Sequence, residues 1–446
     1  MGALKYWLSQ RFYVSALGLY LLLFFIIGCL KSIGLPSMPI IGVQLLYLIL
    51  VILFSSLTSL GSVRQTVFSI IVFQLICCVG LRLFNTVYYG NPLGYEPVDA
   101  LEYDEMGKYC HMPYIEFIAM HFAYSDSFEV DDIGFPSIIY IVYRLFDNWG
   151  REVLVILNVF IVTWSSFVLF RTASFFLNKR DSLFLCFFWG IEAFSIYTAS
   201  VGLKENFFLF FIISALYCLC KMQHNKSYLN ILLFLLVATM TLFFRIALFY
   251  SLIVIFVSVF LLRSEFVRKN MWLISFLIAL FVLINFVSIV GGIAEQRGYE
   301  YSNIAHNYEE NSGGLLGWIT NLTAALIGPI PSFVSDEFKR NYVTLYSFTP
   351  FCKMLYSLFF LYGMFYALRN KITEYFPFIL MWVMNTIMIV FTFYTLHDRY
   401  QWPHIPCTLI LSALGFRLLK NATYFKPFIG FYTILVCFLI ILFNLR

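Results

Sequence analysis

The stretch from Pro97 to Cys110, PVDALEYDEMGKYC, holds the residues of this chain best suited to acid–base chemistry. Read as a helix, it sets Asp99 with Glu102 (i, i+3) and with Tyr103 (i, i+4) on one face, and Asp104 follows directly. Carboxylates grouped at a partly desolvated surface have raised pKa values and suit a general base. A carboxylate that takes the proton of an acceptor hydroxyl while an activated donor departs is the minimum that sugar transfer requires. The plainer account of the same charges is a solvated acidic loop.

Other ionisable groups stand where apolar runs begin or end. Lys204 and Glu205 follow the run that closes at Gly202, and an ionisable pair at such a junction is a functional candidate or a snorkelling lysine beside a helix-start glutamate. Arg245 separates two apolar runs with no polar linker, so its guanidinium stays near the interface, where it could hold a phosphate bidentately. His397 to Pro406, HDRYQWPHIP, enters an apolar run with prolines in its first turn, which lose no hydrogen bond there. Those prolines aim Arg399, Tyr400 and His404 at whatever lies on that face. Gly328 to Pro331, GPIP, reads as a backbone break that shapes a loop. His111 and His121 show no ligand spacing beside the acids, so no metal or other cofactor is expected, a divalent cation in an oxygen cage being the alternative. No phosphate-cradling glycine loop or nucleophile elbow is present, so energy would come from the substrate or a gradient.

What must position these groups is hydrocarbon. The chain is 61% apolar and 12% charged, against about 25% charged in soluble proteins. Its mean hydropathy is +0.84. This is the composition of a multi-pass, all-α integral membrane protein, and the absence of basic runs argues against nucleic acid as a partner. About thirteen apolar runs approach spanning length: 13–30, 39–60, 66–84, 152–170, 182–200, 206–220, 228–244, 246–262, 271–293, 351–368, 375–395, 402–418 and 427–444. The first of these is long enough to span and has no small-residue cleavage site, so no signal peptide is expected. Basic residues in alternate loops put the N-terminus in the cytoplasm and two longer loops, 85–151 and 294–350, on the outer face. Lys31, Arg82 and Arg151 run against that count. The chain then divides into 1–84, the acidic loop 85–151, a six-span centre 152–293, the loop 294–350, and four spans in 351–446. Residues 135–146 read as a helix lying in the membrane interface. Of ten cysteines, eight lie inside apolar runs as small hydrophobes, leaving Cys110 and Cys352 as the pair that could meet an oxidising compartment.

Asp99 to Gly107 (DALEYDEMG), Lys204-Glu205, Phe244-Arg245, and Arg399 to Pro406 followed by Leu411 to Gly415 resemble, in this order, motifs of the GT-C superfamily of polytopic membrane glycosyltransferases, in particular bacterial members related to protein O-mannosyltransferases and aminoarabinose transferases. The likeness spans roughly residues 90–420. It implies a polyprenyl-phosphate-linked sugar donor, a glycan, lipid or protein acceptor, and an outer-face site in a bacterial inner membrane. It also implies a first-loop acid as base, with Asp99 ahead of Asp104 and Glu102. Lys204, Arg245 and Arg399 would hold the lipid phosphate, while Tyr103, Glu205, Tyr400 and His404 would complete the substrate site. The acidic loop here follows a third apolar run rather than the first, and no large soluble domain follows the membrane part. A polymerase of lipid-linked repeat units, or a flippase or transporter of lipid-linked oligosaccharide, are the competing readings.

Overall fold

The computed structural model describes residues 2–30, 38–58, 61–94, 98–122, 133–225, 227–261, 269, 322–331, 347–391, 398–420 and 422–445. The expected span 271–293, most of the loop 294–350, the acids Asp126, Glu129, Asp131 and Asp132, and His397 lie outside these residues. Among the described residues the chain is helical, with no strand. In order, the elements are α1 (Gly2–Leu30), α2 (Met38–Leu57), α3 (Val63–Tyr89), α4 (Val98–Gly107), α5 (Tyr114–Phe122), α6 (Gly134–Phe146), α7 (Gly150–Ala173), α8 (Lys179–Gly190), α9 (Ala193–Val201), α10 (Glu205–His224), α11 (Tyr228–Leu242), α12 (Ile246–Leu261), α13 (Phe348–Arg369), α14 (Phe376–Phe391), α15 (Asp398–Gln401), α16 (Ile405–Leu419) and α17 (Phe425–Leu445).

Among the described residues, six segments are long and apolar enough to cross a membrane, and a seventh if the bent pair α8 and α9 counts as one span. Shorter apolar helices coincide with four further expected runs: Val14–Ile27, Gly42–Leu57, Tyr228–Leu242 and Ile246–Leu261. The expected run 402–418 begins as a 3-10 turn, Trp402–His404, because Pro403 and Pro406 withhold donors there, and leaves a helix of 15 residues. The stretch 135–146 is α6, which buries Phe135, Ile139, Tyr140 and Tyr143 and exposes Ile141, Leu145 and Phe146. It passes through a 3-10 turn at Asp147–Trp149 into α7, so that residues 134–173 qualify together as one apolar run.

Two of the cations that run against the charge count are neutralised within the protein. Arg82 on α3 meets Glu152 on α7 at 3.2 Å, and Arg151 on α7 meets Asp104 on α4. Cys110 and Cys352 are both buried and both free.

Irregular backbone inside apolar packing must have its carbonyls taken by side chains. At the bend between α8 and α9, Gln74 Nε2 donates to the Gly190 carbonyl (2.6 Å) and the Tyr47 hydroxyl to that of Ile191 (2.8 Å). The segment 322–331, with its break at Gly328–Pro331, is held in the same way. Gln401 Nε2 donates to the Ala324 carbonyl (3.0 Å), Ser357 Oγ to Ile327 (3.0 Å) and Asn444 Nδ2 to Pro331 (3.0 Å).

Helices α13 and α16 pack backbone to backbone, with Gly363 and Gly415 at the crossing. A methyl group on Gly415 would overlap the Phe359 carbonyl oxygen, and one on Gly363 the Leu411 carbonyl oxygen. Backbone cannot move aside as a side chain can, so small residues here allow the close approach that stands in for hydrophobic driving force in lipid. Gly363→Ala and Gly415→Ala are each expected to destabilise the purified protein by at least about 2 kcal/mol, seen as a lowered midpoint of thermal unfolding in detergent.

Candidate functional site

The site is assembled from four helix ends. Asp99 lies in the first turn of α4 and Glu205 in the first turn of α10, where the helix dipole favours a carboxylate. The start of α10 depends on Gly202, which closes α9 with φ 74° and donates to the Thr198 and Ala199 carbonyls. A side chain there would be strained, so a glycine turns the chain into Lys204-Glu205. Arg399 comes from the single-turn helix α15, and Arg245 from the link between α11 and α12.

Arg399 is the hub. Its Nη1 donates to Asp99 Oδ2 at 2.5 Å, and its Nε donates to Glu205 Oε1. Burial alone would lower the pKa of this guanidinium, but Glu205 and then Asp99 outweigh burial and raise it above the ordinary arginine value, with a smaller contribution from Tyr103. The two carboxylates are held unequally. The Glu205 side chain is fully buried and that of Asp99 is 42% exposed, so Asp99 is the partner that can turn to a ligand. Among the described residues Glu205 Oε2 is buried without a hydrogen-bond partner, which leaves one acceptor unused.

Arg245 lies beside this trio and pairs with no carboxylate among the described residues. Its guanidinium stacks over Tyr400 at 5.2 Å and Phe208 at 5.7 Å from the ring centroids. Cation–π contacts orient an arginine but leave its in-plane donors free for an anion. Tyr400, next to Arg399 in the chain, therefore links the two guanidinium groups. Below them runs a line of rings: Tyr103 to Phe135 at 4.8 Å, Phe135 to Phe207 at 5.5 Å, and Phe207 to Phe244 at 6.3 Å. It ties α4, α6 and α10 to the Arg245 turn. Gly134 opens α6 against that turn, its N–H donating to the Phe243 carbonyl at 2.8 Å.

Comparison of the chain with protein-family models, with curated proteins and with solved structures gives no match. The site therefore stands on its own geometry. Asp99, Tyr103, Glu205, Arg245, Arg399 and Tyr400 come together. Lys204 is buried one residue before Glu205, and Glu102 is exposed on the neighbouring turn of α4. His404 is not presented with Arg399 and Tyr400. It is fully buried, its Nδ1 2.8 Å from Asn385 Nδ2. Among the described residues no His, Cys, Asp and Glu group could hold a metal ion.

Asp104 belongs to a separate arrangement. Arg151 grips both of its oxygens, with Nε to Oδ1 at 2.7 Å, and the Tyr143 hydroxyl donates to Oδ1 at 2.6 Å. Burial pushes the Asp104 pKa up, but the hydrogen bonds from Arg151 and Tyr143 outweigh it and the pKa falls below the ordinary 3.8. Such a carboxylate is a weak base and a strong tether, fixing α4 to α6 and α7. Arg151 could have been suspected from the sequence as a cation on the wrong side of the charge count; Tyr143 carries no such signal. Because the folded-state pKa is depressed, this tether stabilises the protein fully above the unfolded value. It weakens as pH falls through 3.8 and on through the lower native value. Asp104→Asn is expected to cost about 2 kcal/mol near pH 7. In urea or thermal unfolding across pH, the gap between variant and wild type should close as the pH drops below about 4.

Proposed function

We propose that the protein is a membrane glycosyltransferase of the GT-C kind. It moves a sugar from a polyprenyl-phosphate-linked donor to an acceptor hydroxyl on a glycan, lipid or protein at the outer face of a bacterial inner membrane. The observation that carries this reading is the pairing of an uncommitted arginine, Arg245, with a second arginine, Arg399, that is shared with a half-exposed carboxylate. A phosphate needs the first and can compete for the second; an acceptor hydroxyl needs the third.

In this mechanism the donor phosphate sits against Arg245 and Arg399, with Lys204 at the start of α10 as a further cation. The acceptor oxygen forms its bond to the anomeric carbon as the bond from that carbon to the phosphate oxygen breaks. The bonding pair leaves on the phosphate, whose growing charge the guanidinium groups stabilise. Asp99 takes the acceptor proton. Arrival of the phosphate at Arg399 loosens Asp99 from its ion pair, so donor binding readies the base. Asp104, with both oxygens engaged, serves as tether rather than base. Tyr103 and Tyr400 shape the floor and wall.

With purified protein in nanodiscs and a lipid-linked sugar donor, Asp99→Asn should lose at least about a hundredfold in turnover with an unchanged unfolding midpoint. Arg245→Ala and Arg399→Ala should each weaken donor binding by roughly tenfold or more. Full turnover in the first variant, or unchanged donor affinity in both others, would remove the reading.

One observation favours transport of a lipid-linked substrate instead. Glu192 is a buried carboxylate at the bend between α8 and α9, where it accepts from the Thr349 hydroxyl. Broken helices with an interior acid are a feature of transporters. Glu192→Gln keeps the acceptor for Thr349, so the transferase reading expects turnover within about twofold of wild type, whereas a carrier that titrates Glu192 would lose flux.

A further inference from the structure

A second cluster of polar groups lies inside the protein, away from the arginine site. Asn385 on α14 donates from Nδ2 to the Tyr400 carbonyl at 3.1 Å, and the same nitrogen stands 2.8 Å from His404 Nδ1. The carbonyl can only accept, so this end of Asn385 is its NH2 group and Nδ1 of the histidine accepts the second proton. The imidazole then carries its own proton on Nε2. That N–H is buried and has no partner among the described residues.

It is one of several. Trp382 stands edge-on to His404 with ring centroids 6.5 Å apart, and its Nε1–H is buried without an acceptor. Thr386, one helical turn beyond Trp382 on α14, has a buried hydroxyl without a partner. The three side chains are more than nine-tenths buried. The buried Trp189, by contrast, donates its Nε1–H to Ser165 Oγ at 3.0 Å. Buried donors left unmet are disfavoured, and a concentration of them in one place marks a missing acceptor. The ammonium of Lys353 on α13 is held separately, donating to Gln401 Oε1 and to the Ala325 carbonyl at 3.4 Å.

We propose that Trp382, Thr386 and His404 bind a small inorganic anion of halide size inside the bundle. The N–H groups of Trp382 and His404 can only donate, and the Thr386 hydroxyl can donate as well, so all three can turn a hydrogen to one acceptor. An anion is satisfied by donors alone. Bound there, it would hold His404 in the tautomer that Asn385 requires. Through Asn385 it would fix the carbonyl of Tyr400, the residue that carries Arg245 on its ring.

The test is thermal unfolding of the purified full-length protein in detergent, titrated with sodium bromide against sodium gluconate at constant ionic strength. The expected result is a saturable rise in midpoint with bromide alone. Its half-saturation should move by about tenfold in Trp382→Phe and in Thr386→Val, conservative changes that each remove one donor. Equal behaviour of bromide and gluconate in the wild type would overturn the proposal, leaving an ordered water there at most. A saturable bromide effect that neither variant shifts would overturn it too, because the anion would then bind elsewhere.

Discussion

The architecture of the candidate site depends on one guanidinium that faces two carboxylates. Arg399 joins α15 to α4 through Asp99 and to α10 through Glu205, residues about two hundred to three hundred positions away in the chain. Neither carboxylate would be tolerated so close to the other without the cation between them. Their burial is also unequal, and that inequality gives the arrangement its chemistry. Glu205 is sealed at a helix start while Asp99 is partly exposed, which under the proposed function makes Asp99 the exchangeable partner. Arg245, which pairs with no carboxylate among the described residues, then supplies a second positive charge.

Keeping an arginine free of carboxylates in an apolar setting requires another way to hold it. Here aromatic faces do so: Tyr400 and Phe208 carry Arg245, and the line from Tyr103 through Phe135 and Phe207 to Phe244 fixes the turn from which it projects. The phenylalanine and tyrosine bias of the chain is thus in part a positioning device. The same scaffold keeps Asp104 out of the site by giving Arg151 and Tyr143 to it. Asp99 and Asp104, on one short helix, thus differ in partner and exposure because of their neighbours rather than their residue type.

Much of this was legible in the sequence where physics is local. Apolar runs of spanning length announce an all-helical membrane protein, ionisable groups at their ends single out Glu205, Arg245 and Arg399, and the acid-rich stretch 97–110 singles out Asp99. The i, i+4 spacing sets Asp99 and Tyr103 on one face of a helix, but it does not announce that the guanidinium of Arg399 lies there. What failed to show were the long-range partners. Nothing within a few residues of Arg151 announces Asp104, and nothing near Lys353 or Asn385 announces Gln401 or His404. His404 reads like a companion of Tyr400 because prolines flank it, but four residues of turn rotate it into the interior. The bend at Gly190–Glu192 was likewise invisible, since its carbonyls are satisfied by Gln74 and Tyr47 from helices far earlier in the chain.

The central claim is that Arg399 is contested between Asp99 and an incoming phosphate. Its most direct test is the affinity of dodecyl phosphate for the wild type and for Asp99→Asn in nanodiscs, measured without any acceptor or turnover. If Asp99 competes for the guanidinium, removing its charge should tighten binding by about tenfold. Weaker or unchanged binding in the variant would contradict the account, because Asp99 would then support the anion site or stand apart from it.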